Sequence, residues 1–212
     1  LSLDRRIPNN VEDLKHGRWD KTLYSKARGL CGRTLGLIGL GAVGREMVPR
    51  AQAFGMPVVA WSRSQTSTRA RRFGIEHKTT PVEVAAASDI VSVHVALTDG
   101  TRDLVGRDFF QAMRPGALFI NTSRAEIVDQ DALVRAVKEK HIRAGLDVFD
   151  GQPSGGSGTI QNDIFKIDGI IGTHHIGAST SQAQQAVARE TTRIIREYRE
   201  TGRPPNLIAG PD

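Results

Sequence analysis

The stretch Thr34-Leu-Gly-Leu-Ile-Gly-Leu-Gly-Ala-Val-Gly44, running directly into Arg45-Glu-Met-Val-Pro-Arg-Ala-Gln-Ala-Phe54, constrains the fold more than any other part of the sequence. Leu35 to Leu40 is apolar and bounded by glycines, which reads as a buried parallel strand, and a helical pattern follows it. The junction is GxGxxG. Gly39 permits a tight turn, Gly41 lets backbone approach a pyrophosphate, and Gly44 lets strand and helix pack closely. Ala42 and Val43 lie between these glycines at the helix start, where unpaired N–H groups and the positive dipole end face the phosphates. Glycine turns also join strands to helices where no ligand binds, so the motif needs its context.

That context is alternation. Apolar runs at Pro57 to Trp61, Ile90 to Val95, Ala117 to Asn121, Ile142 to Val148 and Gly169 to Thr173 are separated by helical patterns at Ser67 to Phe73, Pro81 to Ala87, Arg107 to Met113 and Asp129 to Lys140. Ile75-Glu-His77 adds a candidate edge strand. Such a chain is an α/β protein, a Rossmann-type doubly wound parallel sheet in three α/β/α layers. Pro153-Ser-Gly-Gly-Ser-Gly158 reads as a surface loop, and Ser179 to Thr201 as a long helix stopped by Gly202 and Pro204. Residues 1–30 read as an N-terminal helix, Asn10 to Gly17, with a polar connection through Trp19 and Tyr24. Residues 31–212 read as one dinucleotide-binding domain.

Composition narrows the partners. Cys31 is the only cysteine, so neither an internal disulfide framework nor a multi-cysteine zinc site is expected, and no metal is assigned. No apolar run is long enough to span a bilayer, which sets a membrane partner aside. The formal charge of +6 invites nucleic acid, but the arginines are dispersed and no basic stripe is interleaved with aromatics. A small anionic substrate and an anionic cofactor explain the excess instead. A cytoplasmic setting is the expectation.

Three polar constellations stand at strand ends: Asn121-Thr-Ser-Arg124, Gly145-Leu-Asp147-Val-Phe-Asp-Gly-Gln152-Pro153 and Thr173-His-His175-Ile-Gly177. In this order and spacing they resemble the D-2-hydroxyacid dehydrogenase family, whose segments read Asn-Thr-Ala-Arg-Gly, Leu-Asp-Val-Phe ending in Glu-Pro, and Thr-Pro-His-Ile-Gly. The tail from His175 to Gln184 is most similar to the phosphoglycerate dehydrogenase branch. The resemblance implies hydride transfer between NAD or NADP and a small 2-hydroxy or 2-oxo acid, in a homodimer using the helix before Trp19. It also implies a separate substrate domain, which this sequence does not contain. A glyoxylate or hydroxypyruvate reductase is the alternative within the class; a nucleotide-sensing corepressor is the alternative outside it.

The resemblance makes Arg124 the catalytic arginine, whose planar fork suits a carboxylate or a polarised keto oxygen; a helix-capping or ion-pair arginine is the plainer reading. His175 becomes the acid/base. His174 replaces the family's proline, either as a solvated side chain or as a second influence on His175. Gln152 departs from the family's glutamate and cannot supply the charge that favours a protonated histidine. The family's formate dehydrogenases share that glutamine, and Asp150 is a candidate compensating charge. Asp147 corresponds to the residue that holds the nicotinamide carboxamide, or else caps a turn. Thr122, Ser123, Val95, Ala96 and Gly177 fall in cofactor-lining segments; Ala96 and Ala125 replace a common proline and glycine. At Trp61-Ser62-Arg63-Ser64 no acid awaits the ribose, so Arg63 with Ser62 and Ser64 permits NADP, although arginine can also stack on adenine without choosing a phosphate.

Overall fold

The computed structural model describes residues 1–63, 67–160 and 162–207. Two compact units are present, Leu1–His174 and His175–Asp212. The first begins with α1 (Ser2–Arg5), α2 (Ile7–Lys15) and α3 (Lys21–Tyr24). The sequence suggests one helix from Asn10 here. The observed α2 starts earlier because Pro8 sits in its first turn, where a missing N–H breaks no helical bond. Asp20 caps α3 by accepting the Leu23 N–H at 2.8 Å, which turns part of the expected connection into helix.

Then follow β1 (Leu35–Ile38), α4 (Ala42–Ala53), β2 (Val58–Trp61), α5 (Ser67–Arg72), β3 (Glu76–His77), α6 (Pro81–Ala87), β4 (Ile90–Val93), α7 (Arg107–Ala112), β5 (Leu118–Asn121), α8 (Gln130–Lys140), β6 (Arg143–Leu146) and β7 (Ile170–Gly172). The strands form one sheet in the order β3-β2-β1-β4-β5-β6-β7, and every adjacent pair is parallel. The short Glu76–His77 strand takes the edge position that the sequence suggests. The chain reverses its direction of travel across the sheet between β1 and β4, so a crevice opens beyond their carboxyl ends.

Alternating side chains feed two cores. Ile38, Val59, Val91, Val93, Phe119, Ala144 and Leu146 face α6, α7 and α8, packing with Val84, Phe109, Phe110, Leu133 and Val137. Phe110 and Phe119 meet edge to face at 5.1 Å. Leu35, Leu37, Val58, Ala60, Ile90 and Leu118 occupy the other face with Leu3, Val48, Ala51 and Ala70, from α1, α4 and α5. A sheet buried on both faces explains the near-continuous apolar strands in the sequence. The second unit contains α9 (Ser181–Thr201), capped by Thr180 at one end and by left-handed Gly202 at the other. Among the described residues no helix is long and apolar enough to cross a membrane.

Candidate dinucleotide cleft

Because all strands run the same way, the segments following them gather at one end of the sheet. Gly39 turns the chain after β1 with φ of 104°, and a Cβ there would lie 2.7 Å from the His94 carbonyl oxygen. Only glycine accepts both demands. At Gly44 a Cβ would stand 2.1 Å from the Gly39 carbonyl oxygen, so helix and turn touch backbone to backbone. Gly41 differs: its φ is an ordinary −67°, and nothing lies within 4 Å of a Cβ built there. No side chain caps the start of α4, so its first N–H groups meet the space in front of Gly41. That combination of open space, bare backbone and helix terminus fits a pyrophosphate.

The opposite wall is built by the ends of β4 and β5. Val43, Val95, Ala96, Thr122, Ser123 and Arg124 border one cleft of about 280 Å³, joined by His94 and Leu97. Its shape depends on Asn121, which is 1% exposed. Its side-chain oxygen accepts the Ser123 N–H at 3.0 Å, and its amide nitrogen donates to the Arg124 carbonyl at 2.9 Å. The Ser123 hydroxyl donates to the Val93 carbonyl at 2.9 Å, tying the loop to β4. Arg124 is held by its backbone while its guanidinium stays exposed, with Nη1 donating to the Ser123 carbonyl at 2.7 Å. The remaining guanidinium N–H groups stand at the cleft border, suited to an anionic oxygen.

His94 is absent from the residues singled out by sequence. It is the first residue beyond β4, and its Nε2 is buried without a hydrogen-bond partner. Burial pushes its pKa below the ordinary histidine value, so the ring is neutral at pH 7. Its place at a strand end beside the switch point is the signal that could have found it.

Other expected site residues of the first unit follow β2 and β6. Asp147, 5% exposed, directly follows β6 and accepts the Thr173 hydroxyl at 2.5 Å. Gln152 accepts the Phe149 N–H through Oε1 at 3.3 Å. Asp150 is exposed, yet its carboxyl pKa is raised, first by partial burial and then by Glu126, Asp103, Asp131 and Asp129. Ser62 and Arg63 follow β2, with Arg63 exposed; Ser64 lies outside the described residues. His174 closes the first unit, exposed. His175 and Gly177 belong to the second unit, where His175 is exposed and adopts the left-handed conformation with φ of 54°.

A parallel sheet in this order, with a glycine turn at its switch point and a cleft beyond it, defines a dinucleotide-binding α/β domain. Residues 1–177 match the family described as D-isomer specific 2-hydroxyacid dehydrogenase, NAD binding domain. The chain belongs to this family. It is 37% identical over 201 residues to D-3-phosphoglycerate dehydrogenase of Methanocaldococcus jannaschii, matching 92% of this chain and 37% of that one. It is 36% identical over 203 residues to hydroxypyruvate reductase of Thermotoga maritima, matching 95% and 63% respectively. Its fold superposes on the holo form of Rhodotorula graminis D-mandelate dehydrogenase with a TM-score of 0.84 at 27% identity, covering 100% of this chain and 64% of that one. The chain thus spans between about a third and two thirds of these relatives' length.

Proposed function

We propose that this chain is the cofactor-binding part of a NAD(P)-dependent oxidoreductase acting on a small 2-hydroxy acid, with D-3-phosphoglycerate as the first candidate substrate. The observation that carries the reading is Arg124, exposed at the border of the cleft on a loop that buried Asn121 clamps at both ends. A bound nicotinamide would supply the hydride that adds to the keto carbon. Arg124 would hold the carboxylate and polarise the ketone, since a guanidinium fork matches two oxygens at once. Addition of hydride would leave an alkoxide that needs a proton, and His175, by its place in the family's motif, would be the candidate donor, taking the proton back in the oxidative direction. Gln152, where the family has glutamate, adds no charge to the site.

The relatives' extra length supports a substrate-closing segment beyond this sequence. The exposed Ile7, Val11, Leu14 and Trp19 on and after α2 support a homodimer through that region. The single cysteine suits a cytoplasmic setting. Arg63, with no acid in its turn, permits NADP as well as NAD.

Full-length protein assayed against D-3-phosphoglycerate, hydroxypyruvate and glyoxylate, with each cofactor, tests the reading. Highest kcat/KM is expected on the phosphoglycerate pair, with His175→Ala losing nearly all activity. Replacing Arg63 by Ala should weaken NADPH more than NADH by about 1.5 to 3 kcal/mol, the scale of a charged hydrogen bond. No turnover of any 2-oxo acid, or full activity in His175→Ala, would sink the proposed chemistry. Equal losses for both cofactors would remove Arg63 from the choice.

A further inference from the structure

A second polar cavity, of about 290 Å³, lies at the other end of the sheet. Gly116, Ile142 and Gly169 border it and stand just before β5, β6 and β7, so the floor is formed at the amino ends of these strands. Segments from α1, the start of α2 and the end of α3 complete the walls. The cavity shares no residue with the dinucleotide cleft.

Its charges do not balance. Arg5, Arg6, Lys26 and Arg143 line it against the carboxylates of Asp4 and Asp168. Asp4 is already committed. It is 2% exposed, accepts Arg33 Nη1 at 2.8 Å and accepts the Gly29 N–H at 3.0 Å. Arg33 is itself buried, so this ion pair is internal, and the charge of Asp4 is shared between Arg33 and the cavity. Four cations therefore face two carboxylates, and only Asp168 is outside an ion pair. The crowding is felt at Arg143: burial pushes its pKa down, Arg6 and Arg33 push the same way, and Asp4 and Asp168 only partly oppose them. Arg33 also keeps Nε and Nη2 buried without partners, a second sign that positive charge is under-compensated here.

Polar walls with converging cations and an apolar floor are how small-ligand sites are built. We propose that this cavity binds a small phosphate monoester, at a site separate from the cofactor cleft. A phosphate brings close to two negative charges at neutral pH, which matches the surplus better than a monocarboxylate does. Its oxygens accept from guanidinium forks and from an ammonium together. Because the site lies at the opposite end of the strands, it can fill while a dinucleotide is bound.

Calorimetric titration of this chain, saturated with NADH so that the cofactor's own phosphate subsite is occupied, tests the proposal. Inorganic phosphate and glycerol 3-phosphate are the probes, with malonate as the dicarboxylate comparison. Both phosphates should bind, more tightly than malonate. The double variant Arg6→Gln/Lys26→Gln should weaken phosphate tenfold or more while leaving the NADH titration unchanged. Asp168→Asn should tighten it severalfold, a gain that misfolding cannot produce. No binding in the presence of NADH, or phosphate affinity unchanged in both variants, would overturn the site. Malonate binding as tightly as the phosphates would overturn the ligand class.

Discussion

Gly41 separates ligand binding from folding at a single residue. Gly39 and Gly44 cannot carry a side chain without displacing backbone, whereas a Cβ at Gly41 meets nothing within 4 Å and its φ suits any L residue. Gly41→Val should therefore fold with a melting temperature close to the parent. The added side chain would occupy the space reserved for the pyrophosphate, at a cost of about 1 to 3 kcal/mol by analogy with overpacking. That corresponds to roughly a tenfold to hundredfold loss of NADH affinity, readable by fluorescence titration beside a thermal melt. Parental affinity in a folded variant would move the dinucleotide away from this turn. The site's other residue-scale dependence is Asn121: a short amide, 1% exposed, spends both ends on the loop bearing Arg124. Aspartate there would lose the donor to the Arg124 carbonyl.

Among the elements, the contact between β1 and α6 is set by the absence of a side chain at Gly36. A Cβ would stand 2.2 Å from Ser88 Oγ and 2.6 Å from Val84 Cγ1. Ser88 cannot simply swing away, because its hydroxyl donates to the Val84 carbonyl at 2.6 Å in a buried setting. Gly36→Ala should therefore destabilise the domain by about 1 to 3 kcal/mol, as overpacked cores do. Urea unfolding measures the loss, and an unchanged midpoint would show that α6 can retreat from the sheet. The same helix is fixed at its start by Thr80, which accepts the Glu83 N–H at 3.1 Å, while the Glu83 carboxylate receives the Thr79 N–H and hydroxyl. Those two bonds hold the Glu83 carboxyl below the usual carboxylate range. Thr80 and Glu83 are a capping pattern written in the sequence; the close approach at Gly36 is not.

Within the first unit, the N-terminal segment is joined to the sheet by buried charge. Asp4, Arg33 and Gly29 form one internal group, and Arg143 on β6 donates to the Leu3 carbonyl. Removing the carboxylate by Asp4→Ala would strand a buried guanidinium, which costs about 3 to 5 kcal/mol. Denaturant titration should show that loss, and a variant as stable as the parent would mean that Arg33 finds water once Asp4 is gone. The α/β alternation, the switch-point turn and all seven strands are legible in the sequence, because apolar periodicity and glycine punctuation are local signals. The apolar runs Leu35 to Leu40 and Ile90 to Val95 extend past the strands Leu35–Ile38 and Ile90–Val93, since hydrophobicity continues into the turns that line the cleft.

What the sequence determined by itself was therefore the layer architecture and the short motifs at strand ends. Both depend on neighbours within a few residues, where backbone preference and side-chain period act directly. What the tertiary structure decided was which of those ends share a wall. Val43, Val95 and Arg124 are distant along the chain, yet they border one cleft because β1, β4 and β5 lie side by side in the sheet. The unpaired Nε2 of His94 and the surplus of cations around Arg143 are likewise properties of packing, since burial and the distance between charges exist only once the chain is folded.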